Sequence, residues 1–320
     1  MSCPFPGFQR APQGPLEPYK LLLRTAQQLR RENYAMAINL RPDFWWGAAL
    51  IYLAAIPRRI GYAIEPGTPF LTHALPFPAH EHASISNLRL ISASLQALGY
   101  EPLDELYTPE RYPLQFTPTP AEQQWASEHL QAEGLSPEQP IVVIHAGTGG
   151  EVKLWRPEAW ATCANRLASL PQFSTAPQLV LTGSQQERPM LEEIARKLDA
   201  PALLLTNTTV GQLAALLQRA QLVLGVDNGP LHLAVAQGVP TVNLFGPTDT
   251  RIFGPWGPAA RHIAIASKQR CQGCATIPCG RLDFTAEEVA QHPCVRSISE
   301  QQVLQAIANL ATQPMPKQVS

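Results

Sequence analysis

The stretch "VLGVDNGPLHLAVAQGVPTVNLFGPTD", Val223–Asp249, decides the fold. An apolar run stops at Asp227-Asn228-Gly229-Pro230, and a short apolar helix pattern follows. A second apolar run then stops at Phe245-Gly246-Pro247-Thr248-Asp249. Two strands without an alternating polar face, joined by a helix, read as parallel strands buried on both sides. The alternation extends upstream as helix 121–132, strand 140–147, helix 157–169, strand 178–183, helix 186–198, strand 202–205, helix 209–219 and strand 221–227. Helix 229–237 and strand 240–246 complete it. This pattern predicts a doubly wound α/β domain.

The first third is less regular. It reads as helix 17–33 with a basic face, strand 34–40, the turn Arg41-Pro42-Asp43, a buried helix over 44–55, strand 58–64, and a helix over 84–100 that ends at Gly99. The segment "YTPERYPLQFTPTP" (107–120) has four prolines and no helical period, so it reads as a connector. The expected domains are therefore 1–118 and 119–320.

Composition narrows the function. Charged residues are 15% of the 320, and the formal charge is −1, which argues against a protein built to grip nucleic acid. The 32 prolines sit mostly between apolar runs, as connectors. The longest apolar stretch, "FWWGAALIYLAAI", is 13 residues, short of the roughly 20 that span a bilayer. The opening "MSCPFPGFQRAPQGPLEP" lacks the order of a signal peptide. Six cysteines without a secretory signal point to a reducing compartment, and the cytoplasm is the expected location.

In open parallel sheets, ligands bind beyond the carboxyl ends of the strands. Four such ends carry polar or glycine-rich turns: 145–150 running on to Lys153, Thr182-Gly183-Ser184 with Glu187, Asp227 to His232, and Gly246 to Asp249. Asp227 or Asn228 can cap the next helix, and Pro230 suits its first turn. The free amides of that helix start favour an anion, and His232 lies in the same turn. Glycines 147, 149 and 150 allow close approach of a ligand, and Lys153 supplies a charge suited to a diphosphate. Each feature alone has a plainer reading, as a cap or a surface residue. Placed together at successive strand ends, they read as a nucleotide-diphosphate site. No Walker A sequence and no GxGxxG follows a strand, which disfavours an NTPase or a dinucleotide enzyme.

The stretch "GVDNGPLHLAVAQGVPTVNLFGPTDTRIFGPWG" resembles the signature of the ADP-heptose:lipopolysaccharide heptosyltransferases, glycosyltransferase family 9. That signature runs Asp-Ser/Thr-Gly, two residues, His-Leu/Ile-Ala, then a strand into Phe/Tyr-Gly-Pro-Thr. The likeness continues through "VVIHAGTGGEVKLWRPEAWA", "LVLTGSQQERPMLEEIA" and "NLRPDFWWGAALIYLAAIPRRIGY", and covers about residues 34–312. It implies a GT-B-like architecture of two Rossmann-like doubly wound domains, the first incomplete here. It also implies transfer of a heptose or related sugar from an ADP-sugar to a lipopolysaccharide-type glycan or glycolipid, with inversion and without a metal. The donor is a substrate, and no cofactor is implied. Carried over by residue, Lys153 contacts the diphosphate and Glu187 holds the ribose. Asp227, Gly229 and His232 line diphosphate and sugar, Thr148 lies nearby, and His232 joins the catalytic set. Asn228 stands where the family has Ser or Thr.

The front of the chain departs from the family, which opens with a strand and an Arg…Leu-Gly-Asp loop whose Asp is the expected base. This sequence has no Leu-Gly-Asp, and its first strand comes at Tyr34. The expectation is a truncated reading or a remnant, with Asp43 the one visible substitute for the base and a better acceptor contact. Rival readings are a nucleotide-sugar-binding module without transfer and a GT-B-like nucleotide-sugar epimerase. The spacing Cys271-x2-Cys274-x4-Cys279-x14-Cys294 leaves two readings, a structural zinc or reduced thiols packing a loop, neither of them catalytic. The basic face of helix 17–33 is either a peripheral contact at the inner face of the cytoplasmic membrane or, more commonly for such a face, solvated.

Overall fold

The computed structural model describes residues 16–41 and 45–310. Asp43, the expected substitute base, lies outside the described residues. The chain divides into two units, 1–107 and 108–320. The proline-rich segment from 108 packs with the second unit instead of the first. There Trp256 Nε1 donates to the Tyr112 carbonyl (2.7 Å) and Gln237 Nε2 to that of Phe116 (2.7 Å).

In the first unit, α1 (Glu17–Arg31) leads to β1 (Met36–Ile38), α2 (Trp45–Leu53), β2 (Arg58–Tyr62), β3 (His73–Leu75) and α3 (Ala83–Ala97). The strands form a parallel sheet in the order β1-β2-β3. Helix α1 buries Leu22, Thr25 and Ala26 and exposes Lys20, Arg24, Tyr19 and Leu23 on its other side. In α2 the burial expected for 44–55 holds for Trp46, Ala48, Ala49 and Ile51, while Tyr52 and Leu53 are exposed. After α3, Gly99 takes φ +82° and the Tyr100 amide donates back to the Leu95 carbonyl. That is the left-handed helix stop the glycine supplies without a Cβ penalty. β3 has no alternating pattern and was not expected from sequence.

The second unit runs α4 (Pro120–Ala132), β4 (Ile141–His145), α5 (Pro157–Arg166), β5 (Gln178–Thr182), α6 (Arg188–Ala195), β6 (Ala202–Leu205), α7 (Val210–Gln218), β7 (Leu222–Val226), α8 (Gly229–Ala236), β8 (Thr241–Phe245), α9 (Thr250–Phe253), β9 (His262–Ala266), α10 (Ala286–Val289) and α11 (Glu300–Leu310). Its sheet is wholly parallel, in the order β6-β5-β4-β7-β8-β9. β4, β7 and β8 are buried along their whole length, as their unbroken apolar runs required. Side chains of alternate strand residues enter two cores. One, with Ile144, Leu181 and Leu224, packs on α5, α6 and α11, and the other, with Val143, Val180 and Val223, on α7 and α8. β9 and α11 extend the domain past the expected last strand.

Candidate functional site

The strand order places the site. From β4 the sheet grows one way through β5 and β6, and from β7 it grows the other way through β8 and β9. The chain reverses between β4 and β7, and the crevice at such a switch point is where open α/β sheets take ligands. The turn after His145 and the turn after Val226 flank that crevice.

These two turns are locked together. The 3-10 turn Glu151–Lys153 brings Lys153 back over β7, where its Nζ donates to the Asp227 carbonyl (2.8 Å) and to the carboxylate Oδ2 (3.2 Å). Both side chains are largely buried, at 15% and 9% exposure, so the pair is shielded more than a surface ion pair. Thr148 Oγ1 donates to the same carbonyl at 3.4 Å. Asn228 is extended (φ −158°) and caps α8, its Oδ1 accepting from the Leu231 amide (3.0 Å), while its Nδ2 donates to the Gly147 carbonyl (2.8 Å). Pro230 occupies the first turn of α8, as its fixed φ suits. A Cβ placed on Gly229 would meet no atom within 4 Å, so the start of α8 faces open space. His232 lies in that turn, half-buried.

Glu187 sits on the neighbouring strand end. Its Oε2 accepts from the Ser184 amide (2.6 Å) and hydroxyl (2.8 Å), a capping box that fixes the carboxylate. The carboxyl group lies against the α-carbon of Gly147, where any side chain would overlap it. A side chain at 147 would have to push that carboxylate off its cap, so glycine here serves close approach rather than an unusual φ. Beneath them, His145 Nδ1 and Thr182 Oγ1 are 2.8 Å apart. Burial holds the His145 ring down to about 4, against a smaller opposing pull from Glu187, so it is neutral near pH 7. His145 stands at the strand end that drew attention in the sequence, but its isolated type gave no sign of this buried role.

The fourth turn closes on itself. Asp249 caps α9 through the Arg251 amide (2.9 Å) and pairs with the Arg251 guanidinium (2.6 Å). Thr248 Oγ1 is buried with no hydrogen-bond partner among the described residues. Gly246 is packed under Cys294 and Val295, and the Pro247 carbonyl accepts from the Gly280 amide (2.7 Å). The cysteine-bearing segment therefore braces this turn, which spacing in the sequence does not reveal. Cys271 and Cys294 are buried in the main core, Cys274 packs against it, and Cys274 Sγ is 3.4 Å from His292 Nδ1. Burial, with the neighbouring Cys271, pushes the Cys294 thiol up to about 12. Among the described residues no group of three or more His, Cys, Asp or Glu is arranged to hold a metal ion.

The structure thus brings together Thr148, Lys153, Glu187, Asp227, Asn228, Gly229 and His232 on the carboxyl edge of one sheet. Over residues 22–281 the chain matches the family described as glycosyltransferase family 9 (heptosyltransferase). The chain belongs to glycosyltransferase family 9. Its reading as a glycosyltransferase stands with that membership. It is 27% identical over 255 residues to lipopolysaccharide heptosyltransferase 3 of Escherichia coli (strain K12), covering 78% of this chain and 70% of that protein. It is 31% identical over 149 residues to lipopolysaccharide heptosyltransferase 1 of Pseudomonas aeruginosa, covering 47% and 40%. Among solved structures it is similar to the glycosyl transferase family 9 protein of Veillonella parvula DSM 2008 (TM-score 0.73, 20% identity, 94% of this chain and 81% of that one). It is also similar to E. coli ADP-heptose lps heptosyltransferase II (TM-score 0.65, 22% identity, 91% and 81%). These likenesses carry the fold of this family-9 chain. Among the described residues no helix is long and apolar enough to cross a membrane.

Proposed function

We propose that this chain transfers a heptose or related sugar from an ADP-sugar to a lipopolysaccharide-type glycan acceptor, with inversion and without a metal. The observation that carries the reading is Lys153, largely buried and held across the switch point beside the uncovered start of α8. A diphosphate entering there exchanges the Asp227 contacts of Lys153 for phosphate oxygens and gains the Gly229 amide at the helix start, the Leu231 amide being held by the Asn228 cap and Pro230 having none. As the bond from anomeric carbon to diphosphate breaks, negative charge grows on the leaving ADP. Donors fixed before the reaction stabilise that charge without reorganising. His232, in the first turn of α8, adds a donor to the same group. Asp227, released from Lys153, accepts from sugar hydroxyls, and Glu187 accepts from ribose hydroxyls through the oxygen its capping box leaves over. The acceptor hydroxyl loses its proton to a carboxylate, for which Asp43 remains the candidate from this sequence.

A lipid-linked acceptor places the work at the inner face of the cytoplasmic membrane. The exposed Tyr19, Leu23, Lys20 and Arg24 of α1 suit a peripheral contact there. The test is ADP release from ADP-heptose with and without a lipopolysaccharide core acceptor. Acceptor-dependent release supports transfer. ADP binding without release in any condition leaves a nucleotide-sugar-binding module, and failure to bind ADP by calorimetry removes the donor assignment.

A further inference from the structure

We infer that Asn228 is a positioning residue that ties the glycine-rich turn after β4 to the start of α8 and holds the two halves of the anion site at a fixed spacing. The inference rests on the donor reading above and assigns this side chain a role other than touching the ligand. Three side chains link the two turns: Lys153 to Asp227, Thr148 to the Asp227 carbonyl, and Asn228 to the Gly147 carbonyl and, at 3.5 Å, to that of His145. The first two use donors, an ammonium and a hydroxyl, that an entering phosphate would attract away. The third uses an amide whose two ends are already engaged within the protein, Oδ1 by the Leu231 amide and Nδ2 by Gly147. It is the link that persists when the site fills.

The chemistry explains why asparagine does this. Both ends of the job must come from one planar group, an acceptor for the helix cap and a donor for the carbonyl across the crevice. Aspartate offers acceptors only. Serine, the family's usual type here, caps the helix equally well but is too short to hold both partners. The Gly147 carbonyl shares a rigid peptide plane with the Thr148 amide, so anchoring one sets the direction of the other. The same carbonyl belongs to the residue on which the Glu187 carboxylate rests. Holding Gly147 therefore sets the aim of Thr148 and the seat of Glu187 together. A side chain committed in this way fixes geometry, so its loss is read in the loop before it is read in the ligand.

The test uses the full chain labelled with 15N-glycine, first without ligand, as wild type, Asn228→Ser and Asn228→Asp. In both variants the cap on α8 is retained, so the Gly238 amide at the far end of that helix and the melting temperature stay close to wild type. The Gly147, Gly149 and Gly150 amide signals should broaden as the turn loosens. ADP affinity should fall about fivefold, with Asn228→Asp the weaker binder because its carboxylate faces the Gly147 carbonyl. Glycine-turn signals and ADP affinity that match wild type in both variants would overturn the inference and leave Asn228 a cap. Asn228→Ala, which loses the cap as well, separates the two roles: a helix effect in Ala alone, with the turn intact in Ser and Asp, also overturns it. If wild type fails to bind ADP while the Ser variant loosens the ligand-free turn, the donor reading fails and the positioning role stands.

Discussion

The two inner turns of the large sheet, after β4 and β7, differ from the two outer ones, after β5 and β8. Inner polar groups reach across to one another: Lys153 and Thr148 to Asp227, and Asn228 to Gly147. The outer carboxylates are held within their own turn, Glu187 by Ser184 and Asp249 by Arg251. A ligand entering between inner turns finds donors whose present acceptors can be exchanged for its own oxygens. At an outer turn a diphosphate would meet a carboxylate of its own charge sign, already held by a local cap. On the donor reading proposed above, the difference favours the inner pair for the diphosphate and leaves the outer turns to shape the nucleoside or the fold.

The largest effect expected is on stability, and it reaches both ends of the sheet. His145 lies beneath an inner turn and His262 on β9, bonded to Thr241 (3.1 Å). Burial holds both rings down to about 4. The unfolded chain takes these protons near pH 6.5, whereas the folded one stays neutral until about pH 4. Between those values the unfolded state binds more protons, so stability rises with pH through that window and levels off above it. Each ring is worth up to about 3 kcal/mol across the full shift. Urea unfolding between pH 7.5 and 4.5 should show wild type losing stability steeply and His262→Gln losing about half as much. A flat wild-type profile over that range would remove the neutral-histidine account.

Next in size are Lys153→Ala and His232→Ala, which should each weaken ADP binding or turnover at least tenfold, about 1.4 kcal/mol. Both residues lie at turns or helix starts, so far-UV circular dichroism should be unchanged. Calorimetry that finds ADP affinity unaltered in both variants would sink the assignment of the inner pair.

How much of this could be read in the sequence depends on what each feature needed. The β7–α8–β8 stretch was legible because unbroken apolar runs, a cap, a proline and a terminal glycine all agree on one local structure. β3 and β9 are not legible because three to five residues such as His73–Leu75 or His262–Ala266 carry too little pattern. Their strand character comes from pairing with β2 and β8. The candidate site residues were legible by position, since strand ends can be located from strands alone. The links between them were not, because Lys153 and Asp227 are 74 residues apart and their meeting depends on strand order. The bracing of Gly246 by Cys294 depends likewise on how a distant loop folds back.

Glu187→Gln should act on the nucleoside and spare the diphosphate. Glutamine still accepts from Ser184, as capping boxes allow, but it is a weaker acceptor for ribose hydroxyls. ADP affinity should fall about threefold, roughly 0.6 kcal/mol, near the lower end for one hydrogen bond. Affinity for inorganic diphosphate should not change. An equal loss for both ligands would place Glu187 among the inner groups and blur the comparison.

The smallest effect belongs to Asp249→Asn. Asparagine caps a helix as well as aspartate, so α9 keeps its start. What is lost is the pair with Arg251, whose side chain is 64% exposed, and exposed pairs contribute about 0–1 kcal/mol. Melting temperature should stay within about 2 °C of wild type, the shift a few tenths of a kcal/mol produces in a domain of this size. ADP affinity should stay within about twofold, because the Asp249 carboxylate already faces a guanidinium two residues away and has no call on a phosphate that carries its own charge sign. A gain in affinity of tenfold would mean that removing this negative charge eased an anion into the outer turn. The diphosphate would then lie along the whole sheet edge, and the division between inner and outer turns would fail.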